Sequence, residues 1–178
     1  MSPSHRRLGR LGRRRGRGGA AAPTRYRMRE QLLRFGNDFV VTTAGGDPAY
    51  RVDGKALRLR DTIKFLDAEG RPLYRVQERA IRLRDTMVVE REGRTVARIK
   101  KALVSPLRDR FDVAVVDGPP LHVRGNVLEH EYTITRNGTL VATVSKRWFR
   151  LRDTYGVEVQ PGEDDAFVLA LAAAIDAS

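Results

Sequence analysis

Residues 69–99, EGRPLYRVQERAIRLRDTMVVEREGRTVARI, contain the repeating unit from which the fold of this chain can be predicted. A glycine-led phrase begins at Gly70 and returns at Gly93, and the phrase Arg-Leu-Arg-Asp-Thr lies between the two copies. Copies of the glycine phrase occupy residues 46–52, 70–76, 93–99, 118–124 and 138–144, of which 118–124 is the loosest. Because self-similarity at a period of about 24 residues marks a repeated supersecondary unit, we predict one strand pair that is used several times.

Turn-forming dipeptides open every copy of the glycine phrase. They are Gly45-Gly46, Glu69-Gly70, Glu92-Gly93, Asp117-Gly118 and Asn137-Gly138. Glycine accepts a positive φ without a Cβ clash, so such dipeptides between strand-like runs predict tight antiparallel hairpins. The flanks alternate as half-buried strands do, with Tyr74 and Val76 sharing one face, as do Tyr132 and Ile134. Roughly ten to twelve strands result, which must close or split into two sheets to cover their edges.

The C-terminal segment AFVLALAAAIDA at 166–177 favours a closed barrel over two packed sheets. It reads as a helix that is apolar on every side, and such a helix is either buried or in a membrane. About eleven apolar residues are too few to span a bilayer, so we predict burial. Wall side chains alone cannot fill a barrel of about twelve strands, and a slim alanine-rich helix can. The predicted fold is mainly β: a closed antiparallel barrel of about twelve strands that encloses a hydrophobic helix at about 164–176.

The acidic run Glu163, Asp164 and Asp165 stands just before this helix. Carboxylates are favourable at a helix N-terminus, where they cap free N–H groups and complement the dipole. The same run could bind a cation. Helix capping explains it without one, so no metal site is predicted.

The chain is basic, with a formal net charge of +12, but the charge is concentrated at its start. Residues 1–25 hold eight Arg and no acidic residue, and they are glycine-rich and low in complexity. We therefore predict a disordered tail over 1–25 and a barrel domain over 26–178. Three interpretations of the tail stay open: an Arg-rich segment that binds nucleic acid or anionic lipid, a solvated extension without function, or a wrongly assigned start near Met28.

The residues supply no catalytic constellation. The chain has no Cys, which excludes disulfides and thiolate metal sites. Its His residues are three: His5, His122 and His130. No Gly-x-Ser-x-Gly, P-loop or dinucleotide-binding motif is present. His130 stands between Glu129 and Glu131, where we expect a solvated polar turn rather than a metal ligand. We therefore expect that the protein is not an enzyme and that it binds neither a cofactor nor a metal ion.

The phrase Arg-Leu-Arg-Asp-Thr recurs at 58–62, 82–86 and 150–154, with a worn copy at 106–110. Its arginines suggest phosphate binding, but an aspartate follows each second arginine directly. These aspartates are Asp61, Asp85, Asp109 and Asp153. We predict that they are structural, accepting backbone N–H groups at bends and pairing with arginines of the next strand.

A second basic pattern has no aspartate directly after it, and it is the preferred candidate for an anion or headgroup site. Its members are Lys100, Lys101, Lys146, Arg147 and Trp148. Basic residues beside a Trp can seat a lipid headgroup or stack a base. The alternative is that Trp148 is partly buried core.

Several phrases together resemble the LURP-one-related family, part of a wider tubby C-terminal-like group that includes the phospholipid scramblases. They are the strand-turn repeats with Arg-Asp-Thr, 125–132 (GNVLEHEY), 144–149 (VSKRWF), 152–157 (RDTYGV) and Asp164-Asp165 to Ile175-Asp176. The resemblance covers residues 26–178. It implies a twelve-stranded barrel around a central C-terminal helix, and it adds little about activity.

The leading functional hypothesis is a non-enzymatic binding or tethering module for anionic phospholipid surfaces. We expect a cytoplasmic monomer without a transmembrane segment, peripheral at the membrane. One alternative is a nucleic-acid-associated protein that acts through the Arg-rich tail, with a steep salt dependence. The other is a lipid-handling protein related to scramblases that uses the lumen.

Overall fold

The computed structural model describes residues 21–29, 38–53, 62–81, 84–102, 109–149 and 154–177. Its elements in chain order are β1 (Thr24–Arg29), β2 (Phe39–Thr43), β3 (Pro48–Asp53), β4 (Thr62–Asp67), β5 (Pro72–Ile81), β6 (Arg84–Arg91), β7 (Arg94–Ala102), β8 (Asp109–Val115), β9 (Leu121–Asn126), β10 (Glu131–Arg136), β11 (Thr139–Ser145), a 3₁₀ turn (Lys146–Trp148), β12 (Thr154–Val159) and α1 (Asp165–Asp176). The first strand begins two residues before the predicted start of the barrel.

The twelve strands form a closed antiparallel barrel, as predicted. Every strand pairs with its neighbours in sequence, and β1 closes the barrel on β12 with Tyr26 opposite Val157. The hairpins that contain the predicted turn dipeptides lie at one end, which we call the upper end. The opposite end, where β1 finishes and β12 starts, is the lower end. At the Asn137-Gly138 hairpin both residues have positive φ (50° and 79°), the conformation that this dipeptide favours.

Alternation along the strands sorts side chains between the lumen and the outer wall. Tyr74 and Val76 are buried, as are Tyr132 and Ile134, which confirms the predicted inner faces. On β7, Ala97 and Ile99 are fully buried while the residues between and after them are exposed. The apolar inner faces of all strands belong to one hydrophobic core.

Helix α1 lies inside this core. Residues 168–175 are consecutive and each is at most 1% exposed, so no side of the helix faces solvent. Asp164 caps it, its carboxylate accepting a hydrogen bond from the Phe167 N–H at 2.9 Å. Tyr26 and Tyr74 of the wall donate hydroxyl hydrogen bonds to Asp165 (2.5 Å) and Asp164 (2.7 Å), which holds the helix start at the upper end. Asp164 therefore caps the helix, Asp165 binds Tyr26 and Glu163 pairs with Arg136, and a buried central helix is confirmed.

The expectation of a solvated turn at His130 is wrong. His130 is 4% exposed, its Nε2 is hydrogen-bonded to the Asp176 carboxylate, and its ring centroid lies 4.3 Å from that of Tyr155. The β9–β10 turn has a positive φ at this residue (51°), and its imidazole reaches the end of α1 at the lower end. The partner is 46 residues away in sequence, so the local pattern Glu-His-Glu carries no sign of it.

Buried tyrosines make the fold sensitive to alkali. Burial, together with the hydrogen bonds to Asp165 and Asp164, raises the pKa of Tyr26 and of Tyr74. Burial and the charge of Asp176 raise the pKa of Tyr132 in the same direction. An acid whose pKa is raised by folding keeps its proton in the folded state after the unfolded state has lost it. The contribution of these tyrosines to the free energy of unfolding is therefore fully present below about pH 10, and it decreases as the pH rises beyond that value.

We expect the urea midpoint to fall between about pH 8 and about pH 11, together with the appearance of tyrosinate absorbance. Tyr132→Phe is the informative variant, because the Tyr132 hydroxyl is buried and has no hydrogen-bond partner in the described part of the chain. The variant should match the wild type near pH 8 and lose less stability at high pH. Equal losses in both proteins would show that Tyr132 does not contribute.

Candidate functional site

Several charged side chains in the described part of the outer wall and the upper end are paired with each other. Arg25 reaches Glu158 across the β1–β12 pair at 2.6 Å, and Lys64 reaches Asp53 across β3–β4 at 3.7 Å. The hairpin ends add further pairs: Arg71–Asp67 (2.6 Å), Arg136–Glu163 (2.8 Å) and Arg91–Asp164 (3.8 Å). Two of these five pairs are cross-strand partners, and such pairs neutralise part of the described wall.

Some cations of the described residues stand apart from these pairs, with no ion pair, hydrogen bond or ring contact. They are Arg51, Arg94, Arg98, Lys100, Arg110 and Arg124. All except Arg51 lie on the consecutive strands β7, β8 and β9. Arg94 sits at the upper end, and we call the other four, Arg98, Lys100, Arg110 and Arg124, the basic face.

The strand register brings the members of the basic face close together. Arg110 and Arg124 are direct cross-strand partners in the β8–β9 pair. Lys100 is opposite Asp112 and therefore stands diagonal to Arg110. Direct partners have Cβ atoms about 5 Å apart and diagonal ones about 7–8 Å, and like charges directly opposite destabilise a sheet. An anion bound between the two guanidinium groups would remove that repulsion.

On β10, Glu131 stands diagonal to Arg124, and its carboxylate accepts hydrogen bonds from Ser145 and from the Lys146 N–H. The acidic residue nearest to the other cations in the register is Asp112, the direct partner of Lys100. Its Oδ1 is 2.8 Å from Nδ1 of His122, its cross-strand partner on β9. Arg98, Lys100 and Arg124 are exposed and Arg110 is half-buried, so a flat anionic surface can reach them. Paired guanidinium forks suit phosphate oxygens, which accept two parallel N–H groups.

The predicted Lys100 and Lys101 do not act as a pair. Adjacent strand residues point to opposite faces, so Lys100 belongs to the outer basic face. Lys101 is opposite Phe111, whose side chain is buried, and the Lys101 Nζ lies 5.6 Å from the centroid of the Phe111 ring. Lys101 thus lies at the lower rim of the lumen.

The predicted Lys146, Arg147 and Trp148 form the 3₁₀ turn after β11. Ser145 begins it, accepting the Arg147 N–H at 3.1 Å and donating to the Glu131 carboxylate at 2.9 Å. The Lys146 N–H also donates to Glu131, at 3.2 Å. The Arg147 side chain is 84% exposed, with its Nε 3.6 Å from Glu131.

Trp148 lies against the outer wall instead of projecting from it. A Cβ on Gly156 would be 2.6 Å from Cε3 of Trp148, so only glycine leaves room for the ring. The Arg25 guanidinium lies 4.7 Å from the ring centroid and is already paired with Glu158. Four strand spacings of about 4.8 Å separate this turn from β7, roughly 19 Å along the wall. The structure therefore does not join the two halves of the predicted site, whose role in anion binding stays a prediction.

The four repeat aspartates are only partly placed. Asp85 lies in β6 and Asp109 begins β8, whereas Asp61 and Asp153 lie outside the described residues. Their structural role stays a prediction.

Sequence reasoning missed Arg110 and Arg124 as site residues. Arg110 ends the worn copy of the Arg-Asp phrase, and Arg124 ends the loosest glycine phrase. The one sign of them in the sequence is that both of these copies depart from the pattern of the other repeats. Their side-by-side placement depends on the β8–β9 register, which neither copy encodes by itself.

Within the described ranges, no group of three or more His, Asp or Glu is arranged to hold a metal ion. Over the same residues, no helix is both long enough and apolar enough to cross a membrane.

Comparisons with known proteins agree on the fold. The family model described as LURP-one-related matches residues 24–176. An X-ray structure of a protein from Arabidopsis thaliana superposes with a TM-score of 0.66 at 21% identity, over 88% of this chain and 91% of that one. At this identity the likeness shows a shared fold alone. No curated protein matches the chain.

Proposed function

Because the chain belongs to the LURP-one-related family, with the match spanning the whole barrel, we propose that it is a non-enzymatic module that binds anionic phospholipid surfaces. It acts as a peripheral tether, with the basic face of β7–β9 toward the lipid. The observation that carries this proposal is the direct pairing of Arg110 with Arg124, neither of which has an ion pair within the described part of the chain.

The strength of such binding follows from the number of free cations. A Lys or Arg near an anionic leaflet contributes about 1 kcal/mol, so the four residues supply roughly 4 kcal/mol. That free energy corresponds to a dissociation constant of about 1 mM for the face alone. The proposed contact is therefore reversible and sensitive to salt, as suits a tether that is released and rebound.

Lipid is favoured over nucleic acid by what the basic face lacks. Proteins that hold single strands combine cations with exposed aromatic rings on which the bases stack. No Phe, Tyr or Trp lies on the outer face among the described residues of β7–β9, where Phe111 points into the core. The Arg-rich tail, on which the nucleic-acid alternative depends, lies outside the described residues over 1–20.

The lumen-based alternative is disfavoured by the central helix. Residues 168–175 of α1 are buried against the inner wall, and they belong to the same core as the strands. A lipid could occupy the lumen only after the helix left it.

Vesicle sedimentation tests the proposal with the full chain. We expect binding to vesicles of phosphatidylcholine mixed with phosphatidylserine and little binding to phosphatidylcholine alone. The double variant Arg110→Gln/Arg124→Gln removes about 2 kcal/mol of attraction, which weakens binding roughly 30-fold.

The matched control is Arg71→Gln/Arg94→Gln, which removes the same charge from the upper-end hairpins. It should bind nearly as well as the wild type, because the basic face is intact. The tail is identical in both variants, so it cannot cause a difference between them. An equal loss of vesicle affinity in the two variants would show that binding depends on net charge and not on the basic face. Failure of the wild type to bind acidic vesicles, with tight binding to a polynucleotide, would reject the lipid proposal in favour of the nucleic-acid one.

A further inference from the structure

A cleft of about 320 Å³ opens on the outer wall over β2, β3 and β4. It is separated from the basic face by the intervening strands β5 and β6, so nothing in the proposed membrane contact uses it. Its volume lies at the lower end of the range for small-molecule sites, which suits a ligand with one short apolar group.

The register places a cation between two apolar side chains in the wall of this cleft. Arg51 of β3 is the direct partner of Val40 on β2 and of Leu66 on β4. Val40 is 43% exposed, an unusual amount for a valine in a strand of this barrel. The row Val40–Arg51–Leu66 is therefore an accessible apolar strip with one positive charge at its centre.

Arg51 is also the lining charge that remains open to a ligand. Two carboxylates line the cleft, those of Asp38 and Asp53, and both have contacts of their own. Asp53 is 3.7 Å from the Lys64 ammonium. Arg51 has no ion pair, hydrogen bond or ring contact in the described part of the chain.

We propose that this cleft binds an amphipathic oxyanion, a single carboxylate or phosphate carried on a short apolar group. The Arg51 guanidinium holds the oxyanion through two parallel N–H groups, and the apolar group covers Val40 and Leu66. Burying these two side chains removes apolar surface from water, which adds to the ion pair. A carboxylate and a phosphate can both accept these two N–H groups, so the experiment must compare a probe of each kind.

The test is an NMR titration of the full chain with octanoate and with octyl phosphate, each well below its critical micelle concentration. We expect saturable shifts of the Val40 and Leu66 methyl signals for at least one of the two, and the tighter binder identifies the oxyanion. Octanol carries the apolar chain without an oxyanion, and inorganic phosphate is an oxyanion without an apolar chain. Each should bind at least tenfold more weakly than that probe.

Two variants examine the two halves of the cleft. Arg51→Gln should weaken binding of the preferred probe at least tenfold, whereas Arg94→Gln, the loss of an equally unpaired arginine elsewhere, should leave it unchanged. Val40→Asp places a carboxylate beside the oxyanion at an exposed position, and it should abolish binding without loss of fold.

Absence of saturable binding for both probes, or equal affinity in the wild type and Arg51→Gln, would overturn the proposal. Arg51→Gln should still sediment with acidic vesicles as the wild type does. That readout separates failure of the cleft proposal from failure of the membrane proposal.

Discussion

A Gly125→Ala variant should lose roughly 4 kcal/mol of unfolding free energy, from a strained backbone and a steric clash that add together. Gly125 has φ +144° and is the cross-strand partner of Tyr132. A Cβ here would stand 2.4 Å from the Glu131 carbonyl oxygen and 2.6 Å from Cα of Tyr132. Both contacts are with backbone, so no rotamer change relieves them and β9 must move away from β10. The loss is measured as the shift of the urea midpoint at constant slope.

Gly138→Ala is the matched control, because Gly138 also has a positive φ (+79°) but a Cβ placed on it would have no atom within 4 Å. It should lose only the conformational cost of about 1–2 kcal/mol. The difference between the two variants isolates the clash. If both lost the same amount, the close approach of β9 and β10 at Gly125 would be wrong.

The second large effect is expected for Leu171→Ala in the central helix. Leu171 is fully buried, surrounded by the inner faces of the strands. Truncation removes the transfer free energy of the side chain and leaves a cavity that a closed barrel cannot easily collapse, at a total cost of about 2–5 kcal/mol. A urea unfolding curve measures this cost when the transition is two-state in both proteins.

Leu128→Ala provides the comparison, since Leu128 is 71% exposed at the tip of the β9–β10 turn. It should change stability by less than about 0.5 kcal/mol. A Leu171→Ala cost as small as this would mean that α1 does not pack inside the barrel.

Local chemistry accounts for most of what could be predicted. Asn137-Gly138 forms a hairpin because both residues tolerate positive φ, and Tyr132 and Ile134 face inward because strand side chains alternate. The apolar circumference of 166–177 required burial, and Asp164 caps the helix as a short acidic side chain does. Each of these inferences needs only residues close together in the chain.

The site could be predicted only in part. The predicted Lys100 does lie on an outer basic face, but its direct cross-strand partner is Asp112 and Arg110 is diagonal to it, whereas Lys101 turns to the lumen. The sequence predicts Trp148 beside unpaired cations, yet its ring packs on Gly156 and under Arg25. That contact exists only because β1 closes the barrel on β12. His130 pairs with Asp176 for a related reason, since the helix returns through the lumen to a turn that is distant in sequence.

An antiparallel barrel around a buried C-terminal helix can therefore be predicted from the amino-acid pattern alone, because the repeat period, the turn chemistry and the apolar content are local properties. Which charges are left without an ion pair depends instead on contacts between strands that are distant in sequence. Register pairs Arg25 with Glu158 and leaves Arg110 facing Arg124. A slip of one residue would exchange the inner and outer faces of a strand, so the basic face exists only through the pairing of β7, β8 and β9.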